Sequence, residues 1–92
     1  MSIAVLGGLD RLKNSYKQKG KDLGHEIKVF SQRVPDMVRR LRGVHYIVIF
    51  TGTIAHPMVK DARRAARRYD IPIELSHSSS ISAFHKCLTE IS

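Results

Sequence analysis

Residues 44–50, with the sequence VHYIVIF, place the strongest constraint on the fold of this chain. The run is β-branched or aromatic at almost every position instead of at alternate ones. Such a run predicts a strand that is covered on both faces, as in a parallel sheet with helices on either side. Because 92 residues leave room for one hydrophobic core only, we expect a single domain over residues 1–92.

The rest of the chain alternates between short apolar runs and amphipathic stretches. Strands that are separated by single helices favour parallel pairing through right-handed crossovers. The fourth strand contains Pro72, which places it at a sheet edge. The predicted elements are strands at 2–6, 26–30, 44–50 and 72–75 and helices at 9–23, 35–42, 55–69 and 81–91. The sequence therefore predicts an α/β fold with an open parallel four-stranded sheet, in the order 2-1-3-4, and helices on both faces; the order rests on analogy.

The charge of the chain is the first pointer to function. Sixteen Lys and Arg against eight Asp and Glu give a net charge of +8. Residues 33–68 hold nearly all of the excess, which favours an anionic partner, either a nucleic acid or a small phosphorylated or carboxylated molecule. A basic surface without a specific partner is the alternative. No apolar run approaches the roughly 20 residues that a spanning helix needs, and the single cysteine, Cys87, favours the cytoplasm.

Small and polar residues follow the first, third and fourth predicted strands. Parallel sheets bind ligands beyond the carboxyl ends of their strands, where the strand order reverses, which here lies between the first and third strands. Glycine and hydroxyl residues let backbone N–H groups approach an anion, and helix N-termini add positive partial charge. We call the predicted ligand-binding set the strand-end rim: Gly7, Gly8, Thr51, Gly52, Thr53, His56, Lys60, His77, Ser78 and Ser79.

Each part of this rim also has a plain structural interpretation. Gly7 and Gly8 lack the remainder of a dinucleotide fingerprint and are typical of a tight turn. The two threonines of the Thr51-Gly52-Thr53 segment either cap the third helix or bind the ligand. The pair His56 and Lys60 either binds a ligand or forms a solvated surface pair.

Catalysis has no support in the sequence. The chain has no phosphate-binding P-loop and no nucleophile elbow, and Asp10 is the only carboxylate expected near the serines and histidines of the rim. Cys87 lies among apolar helix positions, which predicts packing instead of reactivity. We therefore expect a non-catalytic protein.

Three functions compete. The first is a ligand-binding or sensing module, in which a small anion or nucleotide occupies the rim; in its haem variant, His56 or His77 would ligate the iron and Lys60 or Arg63 would pair with the propionates. The second is nucleic-acid binding, and the third is a structural or adaptor domain that forms a homodimer through a helix or a sheet edge. The arginines that would bind nucleic acid are Arg39, Arg40, Arg42, Arg63, Arg64, Arg67 and Arg68.

Over essentially its whole length, the chain resembles the bacterial family named domain of unknown function 2325. The resemblance rests on a first strand that ends at Gly7-Gly8, a third strand that ends at Thr51, His56 and Lys60 after it, and a serine-rich turn that contains Ser78. It implies a small Rossmann-like domain without an established enzymatic activity, and it carries these six residues over as the family's positions.

This chain also departs from the family pattern. Some relatives place cysteines in the turn after the fourth strand and near the chain end, where this sequence has Ser79, Ser82 and Glu90 and keeps only Cys87. The resemblance therefore does not bring a cysteine-ligated metal, a cluster or a redox role to this chain.

Overall fold

The computed structural model describes residues 1–91 and contains one parallel sheet of four strands. The strands lie in the order β2-β1-β3-β4, which confirms the predicted α/β architecture and its strand order. β1 pairs with both β2 and β3, so the strand order reverses between β1 and β3. The strands are β1 (Ser2–Leu6), β2 (Glu26–Phe30), β3 (Tyr46–Phe50) and β4 (Ile73–Ser76).

Four α-helices cover the two faces of the sheet. They are α1 (Lys13–Asp22), α2 (Met37–Arg40), α3 (His56–Tyr69) and α4 (Ile81–Ile91). Alternate residues of each inner strand point to opposite faces: Ala4 and Leu6 of β1 pack with α2 and α3, whereas Ile3 and Val5 pack with α1 and α4. Both faces of β1 and β3 are thus buried, as their apolar runs predict. Within residues 1–91, no helix is long and apolar enough to cross a bilayer.

The boundaries of several elements differ from the prediction. The helix predicted at 9–23 begins with a separate 3-10 turn, Asp10–Leu12, before α1. The helix predicted at 35–42 shortens to α2, because Asp36 takes a left-handed conformation (φ 57°) that an α-helix cannot include. β3 begins two residues later than predicted, and β4 is shifted by one residue, so that Ser76 belongs to the strand and Pro72 precedes it.

Close packing of α1 against β2 leads to a prediction about Gly20. Glycine in a helix normally costs about 1 kcal/mol relative to alanine, so propensity alone favours Gly20→Ala. A Cβ at Gly20, however, would overlap Cγ1 of Ile27 and lie 2.5 Å from its Cδ1. Because overpacking a buried contact costs about 1–3 kcal/mol and the helix propensity returns about 1 kcal/mol, we expect the free energy of unfolding in urea to fall by up to about 2 kcal/mol. In an Ile27→Ala background the same substitution should instead be neutral or stabilising, and equal effects in both backgrounds would contradict the contact.

Candidate functional site

The loop after β1 is bonded to the neighbouring loops at the strand-end rim. Gly7 and Gly8 both have positive φ angles, 87° and 86°. The Gly7 N–H donates to the carbonyl of Phe30 (2.9 Å), and the Gly8 N–H donates to Oγ1 of Thr53 (2.9 Å). The predicted convergence of Gly7, Gly8 and Thr53 is therefore present in the structure.

The loops after β3 and β4 also touch each other. A Cβ on Gly52 would lie 2.8 Å from the carbonyl oxygen of His77 and 3.5 Å from Cε1 of its ring. Only glycine fits between the two loops without a displacement of the His77 backbone. The structure thus brings Gly52 and His77 together, and both belong to the predicted rim.

Tyr16 of α1 bonds to two of the loops that form this rim, a contact that the sequence did not predict. Its ring is fully buried against Phe50 and Phe84, with ring centroids 5.3 Å away in each case. Its hydroxyl donates to the carbonyl of Ser79 (2.5 Å) and accepts the N–H of Leu9 (3.3 Å). Tyr16 therefore connects the loop after β1 with the loop after β4. The only signal in the sequence is the residue type, because a tyrosine at a buried helix position usually needs a partner for its hydroxyl.

The serines after β4 mainly organise their own turn. Oγ of Ser80 accepts the N–H of Ala83 (3.1 Å), which caps the N-terminus of α4. Oγ of Ser78 lies 3.1 Å from Oγ of Ser80, and Oγ of Ser76 donates to the carbonyl of Ser78 (2.8 Å). Ser79 is buried. Of the two serines predicted to bind a ligand, only Ser78 is exposed at this rim.

The start of α3 has no side-chain cap. Its N-cap residue is Ala55, and Thr53 bonds to Gly8 instead, so the interpretation of the threonines as helix caps is wrong. Thr51, His56 and Lys60 are exposed. The first N–H groups of an α-helix lack intrahelical partners and carry positive partial charge. In α3, however, Pro57 has no N–H and the Met58 N–H donates to the carbonyl of Ala55 (3.0 Å), so the exposed side chains are the main groups that could hold an anion at the rim.

The amide donors of the glycine loop are already in use. Gly7, Gly8 and Leu9 donate to Phe30, Thr53 and Tyr16 respectively, as described above. Phosphate contact through the Gly7 and Gly8 N–H groups would require these bonds to break. Ligand binding by the rim stays a prediction that depends on its side chains and on α3.

The described part of the chain offers neither a cluster of metal ligands nor an exposed thiol. Among residues 1–91, no group of three or more His, Cys, Asp or Glu side chains is placed to hold a metal ion. Cys87 is buried, and burial raises the pKa of its thiol, although a side-chain hydrogen bond with Ser76 acts in the opposite direction. The thiol is therefore packed and protonated at neutral pH.

A second polar region lies between the segment after β2 and the side of α3. A cavity of about 640 Å³ is bordered here by Arg33, Val34, Pro35, Asp36, Met37, Val38, Arg39, Asp61, Arg64 and Arg68; we call it the arginine cleft. Asp61 is 4% exposed and pairs with Arg33 through two contacts, Nε to Oδ2 (2.7 Å) and Nη2 to Oδ1 (3.3 Å). These contacts raise the pKa of Arg33. The sequence missed this pair, because an aspartate in the middle of a basic helix has the appearance of a surface residue.

Four of the seven arginines proposed to bind nucleic acid lie on α3, in two stripes. Arg64 and Arg68 follow Asp61 along the cleft, whereas Arg63 and Arg67 follow Lys60 along a neighbouring stripe. The remaining three, Arg39, Arg40 and Arg42, lie in or after α2. All seven are exposed.

A comparison with protein families supports the resemblance drawn from the sequence. The family model described as an uncharacterized protein conserved in bacteria (DUF2325) matches residues 2–91. The chain therefore belongs to this family. Searches of curated proteins and of solved structures gave no match.

Proposed function

We propose that this domain is a non-catalytic, cytoplasmic ligand-binding module that holds a small anionic ligand at the strand-end rim. The observation that carries the proposal is the convergence of the loops after β1, β3 and β4 at the point where the strand order reverses. His56 begins α3 after the loop that follows β3, Lys60 lies one turn later, and both side chains are exposed. A nucleotide or inorganic phosphate is the generic ligand, and haem, ligated by His56 or His77, is a specific variant.

The internal bonds of the rim favour a preorganised site. Tyr16, Thr53 and Gly52 fix the three loops relative to one another, so little loop ordering is needed on binding. Because the backbone donors of Gly7, Gly8 and Met58 are occupied, the side chains of Lys60 and His56 are the groups that would recognise the charge of the ligand.

Replacing Lys60 with alanine tests this assignment. Loss of a charge-assisted hydrogen bond to the ligand should cost about 1.5–3 kcal/mol, or about one to two decades in affinity. His56→Ala should also weaken binding. Fold stability should change little, because both side chains are exposed. Titration calorimetry with inorganic phosphate and with nucleotides measures the effect, and a haemin titration followed at the Soret band tests the haem variant.

Arg67→Ala is the matched control, because it removes the same charge from the same stripe of α3, two turns farther from the rim. It should leave the affinity nearly unchanged. Equal losses from Lys60→Ala and Arg67→Ala would show that diffuse charge, not a site at the rim, attracts the anion.

Nucleic-acid binding is the second candidate, and the seven exposed arginines in α2, directly after it and in α3 favour it. The affinity would then fall steeply with salt, with a log–log slope of about −0.9 per phosphate contact on duplex DNA. The aromatic residues Tyr16, Phe50 and Phe84 are buried and cannot stack on bases, which counts against single-stranded nucleic acid.

Dimerisation is the third candidate. Leu75 of the edge strand β4 is 53% exposed, so this edge is where a second copy of the chain could pack. Sedimentation analysis tests whether the protein dimerises.

A further inference from the structure

We propose that the arginine cleft is a second anion-binding site, separate from the strand-end rim, and that it takes a small phosphorylated molecule with an apolar or planar part. The cleft borders none of the predicted rim residues. Its volume of about 640 Å³ falls within the range of about 300–1,000 Å³ that is typical of small-molecule sites and is larger than a lone phosphate needs.

The charge of the cleft favours a ligand with more than one negative charge. Four arginines, Arg33, Arg39, Arg64 and Arg68, face only two aspartates, Asp36 and Asp61. Arg33 and Asp61 neutralise each other, which leaves three arginines opposed by Asp36. Guanidinium groups bind phosphate through paired, planar donors, whereas a lysine offers a point charge.

The buried carboxylate of Asp61 preorganises one wall. It holds Arg33 by Nε and Nη2, although the Arg33 side chain itself remains 58% exposed. A guanidinium has five N–H groups, so Arg33 keeps donors for a ligand while Asp61 restricts its rotamers. Preorganised donors lose less conformational entropy on binding than free surface side chains do.

The same cleft offers apolar contacts beside the arginines. Val34, Pro35 and Val38 border it on the side opposite α3. Nε of Arg40 donates to the carbonyl of Pro35 (3.1 Å), which fixes this segment against α2. The combination of basic and apolar walls suits a nucleotide-like molecule, whose phosphates need donors and whose base needs apolar cover. A concave site of this size suits such a molecule better than the convex backbone of a nucleic-acid duplex.

Two double variants of equal charge test the proposal. Arg64→Ala/Arg68→Ala removes two arginines from the cleft, and Arg63→Ala/Arg67→Ala removes two exposed arginines from the neighbouring stripe of the same helix. ATP and pyrophosphate are titrated against each protein by calorimetry at fixed ionic strength, and circular dichroism confirms that both variants are folded. We expect the cleft variant to bind ATP at least tenfold more weakly and the control variant to stay within about threefold of the unmodified protein.

Further measurements separate the remaining outcomes. ATP binding that survives in Lys60→Ala but is lost in Arg64→Ala/Arg68→Ala belongs to the cleft, whereas ATP binding that is lost in Lys60→Ala and survives in Arg64→Ala/Arg68→Ala belongs to the rim and would overturn the cleft site. Equal weakening by the two double variants, or no binding of either probe by the unmodified protein, would overturn the cleft site. Tight binding of a duplex oligonucleotide that both double variants reduce equally would also overturn it, in favour of nucleic-acid binding through the whole face of α3.

Discussion

Replacing Gly7 with alanine is expected to lower the free energy of unfolding by about 2–5 kcal/mol, because it combines backbone strain with overpacking. Gly7 has a φ of +87°, which alanine rarely adopts. A Cβ there would lie 3.1 Å from each of three atoms, namely Cβ of Ile54 and the carbonyl oxygens of Phe50 and Thr53. Two of these atoms belong to the backbone at the end of β3 and in the turn that follows it, and cannot move independently. Urea unfolding followed by circular dichroism measures the loss.

Gly24→Ala separates the two causes. Gly24 has nearly the same φ, +83°, but a Cβ there would meet nothing within 4 Å. It should therefore cost only the conformational strain, about 1–2 kcal/mol. If the two substitutions cost the same, the backbone at and after the end of β3 yields to the Cβ at no cost, and the rigid rim on which ligand binding is proposed would lose its support.

The sheet was predictable because its signals are local and redundant. The unbroken apolar run of β3 indicates burial on both faces, and single helices between the strands leave few topologies open. Helix ends were predicted less well, because they depend on backbone conformation at single residues. Asp36 in the left-handed region shortens α2, and nothing in its neighbourhood of the sequence indicates that conformation.

Of the two polar sites, the rim was predictable from the sequence and the arginine cleft was not. The rim could be predicted because topology brings residues that directly follow the strands to one edge, and the contact between Gly52 and His77 follows from that alone. The arginine cleft depends instead on Arg33 and Asp61, which are 28 residues apart in the chain. Their pairing requires the angle at which α3 crosses the sheet and the path of the segment after β2. Amphipathic periodicity cannot supply this information.

Replacing Tyr16 with phenylalanine is expected to lower the free energy of unfolding by about 2–4 kcal/mol, although the change removes a single oxygen atom. The hydroxyl satisfies the carbonyl of Ser79, which is buried, and the N–H of Leu9, which is partly buried. A buried polar group left without a partner costs about 1–3 kcal/mol, and here two groups lose the same partner. The ring contacts with Phe50 and Phe84 remain, so the loss reports the hydrogen bonds and not the packing.

Tyr46→Phe is the control, because Tyr46 packs at the edge of the same apolar cluster and is only half-buried. It should change the stability by less than about 0.5 kcal/mol. Because Tyr16 connects the loops after β1 and β4, Tyr16→Phe should also accelerate hydrogen exchange of the Leu9 amide and of the amides in the serine turn at 76–80. A Tyr16→Phe protein that matched Tyr46→Phe in both stability and exchange would mean that the hydroxyl does not hold the rim together. The side chains at the ends of β1 and β4 would then have to be ordered by the ligand itself, and the proposed rim would bind by induced ordering instead of by preorganisation.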